Sequence, residues 1–345
     1  MKPLLLYTMT SGLGDFIIMG DLMRKVENLV PKARCLMAHR GNPHINLWAY
    51  DHPSKRFFDV YQPPQFLKLI STLRRRRKEG YTVFGLQMAP GSVQGFFFHL
   101  FLKKIKALDF IVDFNLINAD IITPPKGSYI LDLHLNQIKE LFKIKISEEF
   151  YHLELPIKNL KFSNTSVKSV KKDKIKIGIH PWSRRGHLPC FVWPFERWVK
   201  VIKFLLQDKQ NEIIIFGKDK KFGEFKSYLQ LKLGEAGKQI KFALCNSVIE
   251  LINMIRQMDL IISVNTGVVH IGYALNRKMI ILCGPSLDIW TPKKENIKII
   301  HDKQGVFSGS DKYIMNGDMF PSVSKIKTTQ VILGLQWYLK KNRGK

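Results

Sequence analysis

The sequence predicts an α/β protein of two domains, each a parallel sheet with helices on both faces. The chain of 345 residues is longer than a single hydrophobic core ordinarily supports, which favours two domains of roughly 150 to 170 residues. Short apolar runs alternate with stretches of helical spacing in both halves, as in strand–helix–strand units. A polar, lysine-rich segment separates the two series. In such a protein, a ligand is expected in the crevice between the domains.

The first domain, residues 1–158, opens with an apolar run from Leu4 to Thr8, which predicts a strand. A turn at 11–15 follows, and from Phe16 to Glu27 the apolar residues recur at helical spacing. Further elements predicted from the same patterns are strands at 34–39, 82–87 and 110–112, and a helix at 65–78. Residues 159–173 are polar and lysine-rich, and this composition predicts the linker between the two domains.

The second domain, residues 174–327, repeats this alternation. The predicted elements are strands at 174–180, 211–217, 279–283 and from Leu260, and helices at 195–207 and 248–257. Residues 328–345 form a C-terminal helix that could pack back on the first domain. The run from Leu260 breaks at a polar turn, where Thr266 can cap a helix and Gly267 lets a ligand approach the backbone. Free amides at such a turn attract phosphate, although any strand–turn–helix unit also needs a cap.

The charge balance favours anionic partners. Lysine plus arginine outnumber aspartate plus glutamate by 55 to 28, a net charge of +27. Nucleic acid is not favoured, because no zinc-finger spacing, basic zipper or RNA-binding signature is present. An anionic membrane surface or a phosphorylated glycolipid fits the charge. The apolar run 96–102, followed by lysines, is either an amphipathic segment on a membrane or a buried helix with a basic edge.

The four cysteines are widely separated, which excludes common local zinc patterns and a disulfide framework. A reducing cytoplasm is therefore the expected compartment. The N-terminal run is unlike a secretory signal, and no apolar stretch approaches the roughly 20 residues of a spanning helix.

An ordered set of motifs resembles glycosyltransferase family 9, which includes the lipopolysaccharide heptosyltransferases. The motifs are the glycine–aspartate turn at 11–15, His-Pro-Trp at 180–182, Trp-Pro-Phe-Glu-Arg-Trp at 193–198, Ile-Ile-Ile-Phe-Gly at 213–217, Asn-Thr-Gly-Val-Val-His at 265–270, Cys-Gly-Pro at 283–285 and Trp-Thr-Pro at 290–292. The resemblance covers most of the chain and is strongest from 175 to 292. It implies the GT-B fold, in which two Rossmann-like domains face each other across a cleft.

The resemblance implies an inverting, metal-independent enzyme that moves a sugar, heptose from ADP-heptose above all, onto a lipopolysaccharide or other envelope glycan acceptor. It places the acceptor on the first domain and the nucleotide-sugar donor on the second. No cofactor or metal is expected, and the sequence contains no Asp-x-Asp motif to hold a divalent ion on a diphosphate. The expected location is the cytoplasm, peripherally at the inner face of the cytoplasmic membrane, with its anionic surface as a partner.

On the acceptor side, Asp15 matches the family's general base, which would take the proton of the attacking hydroxyl. The alternative is that Asp15 only caps the helix that follows. Ser11, Gly12 and Gly14 would shape the turn and let the backbone approach the sugar or phosphate.

On the donor side, Thr266 and Gly267 match the diphosphate turn, and His270 is either a phosphate ligand or a core histidine. Asn265 replaces the family's usual aspartate, and Phe191 replaces a lysine that meets the donor phosphate. Ser183, Arg184 and Arg185 are further candidates, and the two arginines could supply the missing charge. Gly217 and Asp219 are expected near the nucleotide ribose or base, and Trp290 and Pro292 are expected to form walls of the pocket.

Alternative functions are transfer from a different nucleotide-sugar, or non-catalytic binding of a nucleotide-sugar or nucleic acid. The replacements at 265 and 191 motivate both. A nicotinamide dehydrogenase is less favoured, because Ile17 stands at the third position of the expected glycine motif.

Overall fold

The structure, a computed structural model, describes most of the chain in two compact units, residues 1–160 and 161–345. The described ranges are 3–10, 12–39, 57–59, 61–86, 93–113, 119–122, 129–155, 174–183, 189–218, 221–284, 290–302 and 322–343. The predicted linker, residues 159–173, lies outside them.

The first unit contains a parallel sheet of order β3-β2-β1-β4-β5-β6. Its strands are β1 (Leu4–Thr10), β2 (Ala33–His39), β3 (Phe57–Asp59), β4 (Thr82–Leu86), β5 (Phe110–Asp113) and β6 (Ile121–Ile122). Its helices are α1 (Leu13–Leu29), α2 (Pro63–Lys78), α3 (Val93–Lys104) and α4 (Ile130–Phe142). The first four residues of β1, Leu4 to Tyr7, are apolar and buried, as expected for a central strand that is covered on both faces.

Helices cover both faces of this sheet. Leu69 and Leu73 of α2 and Leu102 of α3 pack in one cluster with Leu5 and Tyr7 of β1. Helix α1 packs against α4. Because crossovers between parallel strands are right-handed, these two helices lie on the opposite face.

A buried ion cluster fastens α1 to the segment that follows α4. Asp21 is fully buried and pairs with Lys25 at 2.6 Å and with Arg24 at 2.7 Å. The Arg24 guanidinium also reaches Glu154 at 2.6 Å, and Lys25 donates to the His152 carbonyl oxygen. Burial lowers the pKa of Lys25. Removing Asp21 would leave the buried Lys25 ammonium without a carboxylate partner, which is costly.

The second unit repeats the architecture, with the parallel order β12-β11-β10-β7-β8-β9. Its strands are β7 (Ile175–His180), β8 (Asn211–Gly217), β9 (Lys241–Leu244), β10 (Leu260–Val264), β11 (Lys278–Leu282) and β12 (Ile297–Ile300). Its helices are α5 (Phe195–Leu206), α6 (Phe222–Leu233), α7 (Val248–Gln257), α8 (Gly267–Ala274) and α9 (Thr328–Arg343).

The C-terminal helix α9 contributes to the core of the second unit. Val331, Leu335 and Leu339 belong to the same buried cluster as the strands of this sheet. The Tyr338 hydroxyl donates to the Asp259 carbonyl oxygen at 3.1 Å. Burial raises the pKa of Tyr338 to about 12.

Each sheet has the strand order of a Rossmann-like domain. Successive strands are added first towards one edge of the sheet and then towards the other. This order reverses between β1 and β4 in the first unit, and between β7 and β10 in the second. At such points the loops after the strands diverge and leave room for a ligand. Among the described residues, no helix is both long and apolar enough to cross a membrane.

Candidate active site

Asp15 lies at the point in the first sheet where the strand order reverses. Helix α1 begins directly after β1, with Gly12 as its N-cap, and Asp15 is the third residue of the helix. The Gly12 amide donates to Oδ2 of Asp15 at 3.0 Å. This is half of a capping box, since glycine has no side chain to return the bond. Asp15 therefore caps the helix, and the same bond holds its half-buried carboxylate in place.

The glycines beside Asp15 are not required by backbone strain. Gly12 has φ −116°, which any residue adopts, and Gly14 lies buried in the first turn of α1. Ser11 lies outside the described residues.

Thr266 lies at the equivalent point of the second sheet, between β10 and α8. It is the N-cap of α8, but its hydroxyl makes no capping bond. Its Oγ1 is buried and has no hydrogen-bond partner within the described part of the chain. In the first turn of α8 the Val269 amide donates to the Thr266 carbonyl oxygen at 3.0 Å, whereas the amides of Gly267 and Val268 lack acceptors inside the helix. A buried hydroxyl without a partner costs about 1 to 3 kcal/mol. The turn is thus suited to an acceptor-rich ligand such as a diphosphate.

Asn265 ties this turn to the loop after β11. Its side-chain amide donates to Oγ1 of Thr291 at 2.9 Å and lies 3.5 Å from Sγ of Cys283. Thr291 and Cys283 are themselves 3.3 Å apart and buried. The resemblance placed Asn265 at the donor, and the structure adds a role in joining two loops.

His180 lies beside the turn, at the end of β7, and was not among the predicted site residues. Its Nδ1 is 3.4 Å from Oγ of Ser263, a residue of the neighbouring strand β10. Burial lowers the pKa of His180 to about 3, so its ring is neutral at pH 7. Its position at the carboxyl end of a central strand is the signal in the sequence that could have identified it.

Gly217 has a structural reason to be glycine. It ends β8 with φ +132°, and a Cβ there would lie 2.8 Å from the indole of Trp182. The indole nitrogen of Trp182 donates to the Phe216 carbonyl oxygen at 3.2 Å. Ser183 follows this tryptophan and is half-buried.

Some of the other predicted donor residues lie in the described part of the chain, and the rest lie outside it. His270 is buried on α8, and Trp290 is half-buried next to the buried Thr291 and Pro292. Phe191 is half-buried and ends a short 3₁₀ helix, Pro189–Phe191. The residues outside the described part of the chain are Arg184, Arg185 and Asp219. Within the described residues, no group of three histidine, cysteine, aspartate or glutamate side chains could hold a metal ion.

The second unit therefore brings Asn265, Thr266 and Gly267 together in one turn, with His180 joined to the adjacent strand through Ser263. The hydrogen-bonded contacts of Thr291 and Cys283 with this turn are not foreseeable from sequence spacing, because they depend on how two separate loops pack.

Comparison with known proteins gives one family. The sequence model of glycosyltransferase family 9 (heptosyltransferase) matches residues 128–311, more than half of the chain. No curated protein sequence matches significantly.

Several solved structures share the fold over nearly the whole chain. A glycosyl transferase family 9 protein from Veillonella parvula is 17% identical with a TM-score of 0.66, covering 98% of this chain and 97% of its own. The Escherichia coli ADP-heptose lps heptosyltransferase II is 17% identical with a TM-score of 0.64, covering 99% of each chain. Escherichia coli heptosyltransferase WaaC, solved with ADP-2-deoxy-2-fluoro heptose, is 12% identical with a TM-score of 0.59, covering 98% of this chain and 99% of its own.

Proposed function

The chain belongs to glycosyltransferase family 9 and is a glycosyltransferase, and we propose that it moves a heptose from ADP-heptose onto a lipopolysaccharide or other envelope glycan acceptor. The observation that carries this proposal is the turn between β10 and α8. There the Thr266 hydroxyl, which has no hydrogen-bond partner among the described residues, and the first amides of a helix would bind the diphosphate of a nucleotide-sugar.

The proposed donor seat stabilises the leaving diphosphate through fixed dipoles. As the bond from the anomeric carbon to the diphosphate oxygen breaks, negative charge develops on that oxygen. The α8 amides and the Thr266 hydroxyl would donate hydrogen bonds to it, at the positive end of the helix dipole. Arg184 and Arg185, which follow Ser183 in the sequence, would add cationic charge. We propose that no metal ion is required, in keeping with the absence of an Asp-x-Asp motif.

Asp15 is the proposed general base. Its carboxylate would accept the proton of an acceptor hydroxyl while that oxygen forms a bond to the anomeric carbon, on the side opposite the departing diphosphate. The configuration at that carbon is inverted. The hydrogen bond from the Gly12 amide holds the carboxylate in position for this role.

The donor is proposed as ADP-heptose because two of the similar structures are heptosyltransferases, one of them holding an ADP-heptose analogue. The Asn265 contact with Thr291 favours a second candidate, transfer from a different nucleotide-sugar. An amide that already donates to a neighbouring loop presents a different group to the donor sugar than an aspartate would.

We also propose that the enzyme works in the cytoplasm, peripherally at the inner face of the membrane, where a lipid-borne acceptor would be found. The net charge of +27 supports attraction to an anionic lipid surface.

The test of the base is Asp15→Asn. Asparagine can still accept the Gly12 amide bond, so the fold should persist, whereas sugar transfer should fall by about 100-fold or more because the base is lost. Rates of transfer and donor affinity are measured for both proteins, with and without EDTA. We expect donor affinity to be unchanged and the rate to be insensitive to EDTA.

The matched control is Asp132→Asn. Asp132 is likewise the third residue of its helix, α4. Its replacement should leave transfer unchanged. Equal measurable rates for wild type and Asp15→Asn would exclude the base assignment, whereas the absence of transfer by the wild type, with donor binding retained, would favour the non-catalytic alternative.

Donor identity is tested by direct binding of ADP-, UDP-, GDP- and CDP-linked sugars. Selective binding of ADP-heptose supports the proposed donor. Preference for another nucleotide-sugar would replace ADP-heptose while leaving the mechanism in place.

A further inference from the structure

Helix α3 presents an apolar stripe to solvent. Phe97, Leu100 and Phe101 are 62%, 41% and 44% exposed. Their spacing of three and four residues places them on one face of the helix. Leu67 of the neighbouring helix α2 is 64% exposed. Large apolar side chains clustered in this way on a surface mark an interaction site.

The two helices share this apolar surface. The ring of Phe66 on α2 stacks against Phe101 at a centroid distance of 6.3 Å and lies 5.9 Å from Phe98. The exposed residues of both helices therefore form one patch. We call this patch, together with the basic residues at the C-terminal ends of both helices, the α2–α3 surface.

The basic part of the α2–α3 surface contains no acidic residue on either helix. The sequence of α2 includes Lys68 and the run 74–78, and that of α3 ends in Lys103 and Lys104. Arg74 donates to the Ile105 carbonyl oxygen at 2.7 Å, which brings the C-terminal ends of the two helices together. Most of the other cations of this surface are paired with carboxylates outside the two helices: Arg75 and Arg76 with Glu79, Arg77 with Asp109 and Lys103 with Asp120. Lys78 and Lys104 are exposed.

From these observations we propose that the α2–α3 surface docks on an anionic phospholipid bilayer, with the phenylalanines and leucines in the acyl boundary and the basic residues among the headgroups. This inference rests on the proposed function in one respect, the lipid-borne acceptor. Aromatic and leucine side chains beside lysine and arginine match the two chemical layers of a membrane interface.

Other occupants fit less well. A second copy of the chain would bring the same basic residues against one another in a two-fold contact. A nucleic acid would meet the charge but would not bury Leu67 and Leu100 in an apolar medium.

Helix α3 follows the carboxyl end of β4, and α1 follows the carboxyl end of β1, so both helices begin at the same edge of the sheet. The basic residues of the α2–α3 surface lie at the C-terminal ends of α2 and α3, which lead into the amino ends of β4 and β5, and therefore at the opposite edge from Asp15.

The experiment is co-sedimentation of the full chain with phosphatidylcholine vesicles, with and without phosphatidylglycerol. We expect binding to the anionic vesicles and at least about tenfold weaker binding to neutral ones. Phe97→Ser with Phe101→Ser should weaken binding to anionic vesicles by about tenfold or more, because two inserted rings are lost. Lys78→Glu with Lys104→Glu should weaken binding to anionic vesicles to a similar extent. The difference in binding between this variant and the wild type should become smaller at high salt.

Matched control variants remove an exposed leucine or two exposed lysines outside the α2–α3 surface. Leu231 is 78% exposed on α6, and Leu231→Ser should bind as wild type does. Lys200→Glu with Lys203→Glu, both exposed on α5, should bind more tightly than Lys78→Glu with Lys104→Glu.

Two outcomes would overturn the docking proposal. One is unchanged vesicle binding by the phenylalanine variant. The other is a wild-type dimer that this variant dissociates, without any vesicle binding. Vesicle binding requires no sugar transfer, so its failure is separate from failure of the proposed reaction, which is measured with a soluble acceptor.

Discussion

At the scale of single residues, Thr266 is the clearest functional signal in the chain. The sequence predicts it as an N-cap, and the structure confirms that position. The missing capping bond could not be predicted, because it depends on the side-chain rotamer and on the dihedrals of the turn. The position of Thr266 follows from local pattern, whereas its unused hydroxyl follows from packing.

Thr266→Val separates a ligand role from a structural one. Valine has nearly the same shape, and removing a buried hydroxyl that has no partner should leave the free energy of unfolding unchanged or raise it by up to about 1 kcal/mol. Affinity for the nucleotide-sugar should fall about tenfold or more, because a hydrogen bond to a charged oxygen is lost. Urea unfolding and calorimetric titration measure the two quantities.

Ser247→Ala is the control for this prediction. Ser247 caps α7, and its hydroxyl accepts a bond from the Glu250 amide at 3.1 Å. Its loss should cost about 1 kcal/mol of stability and leave donor affinity unchanged. If Thr266→Val also destabilised the protein without weakening binding, the donor seat would be elsewhere.

At the scale of elements, central strands were predictable and edge strands were not. The predicted strands at 34–39, 82–87 and 211–217 are confirmed within a residue by β2, β4 and β8. Their apolar runs are continuous because both faces are buried. The short edge strands were missed, since few apolar residues mark them. These are β3, β6, β9 and β12.

The end of β8 provides a prediction about the turn that follows a central strand. Gly217→Ala should lower the free energy of unfolding by about 3 kcal/mol, because alanine would be strained at a positive φ and would collide with the Trp182 indole. Gly223→Ala serves for comparison, since a Cβ there meets no atom within 4 Å. It should change stability by less than about 1 kcal/mol. Equal unfolding midpoints for the two variants would show that the indole moves aside.

At the scale of the whole molecule, length and alternation predicted an α/β chain of two domains, and the two parallel sheets confirm that fold class. The strand order within each sheet was beyond the sequence, because periodicity does not show which strands become neighbours. The partner of the C-terminal helix was also undetermined. In the structure, its apolar residues Val331 and Leu335 join the core of the second unit.

This arrangement predicts that residues 161–345 fold without the rest of the chain. The fragment contains a complete sheet and its own core, so it should unfold cooperatively by circular dichroism and bind the nucleotide-sugar. The shorter fragment 161–327 lacks α9 and would expose the apolar surface that this helix covers. We expect it to aggregate or to unfold at a much lower temperature. Equal stability of both fragments would contradict the role assigned to α9.

The ion cluster at Asp21 has a consequence for the order of events during synthesis. Helix α1 leaves the ribosome early, but the bond of Arg24 to Glu154 spans 130 residues and that of Lys25 to the His152 carbonyl spans 127. Until those partners emerge, Arg24 and Lys25 have only Asp21 of the same helix as a partner in this cluster. The helix that carries Asp15 is therefore among the first segments of the unit to be translated. The residues that bind it in this cluster are among the last. During that interval the nascent chain is a natural client for chaperones.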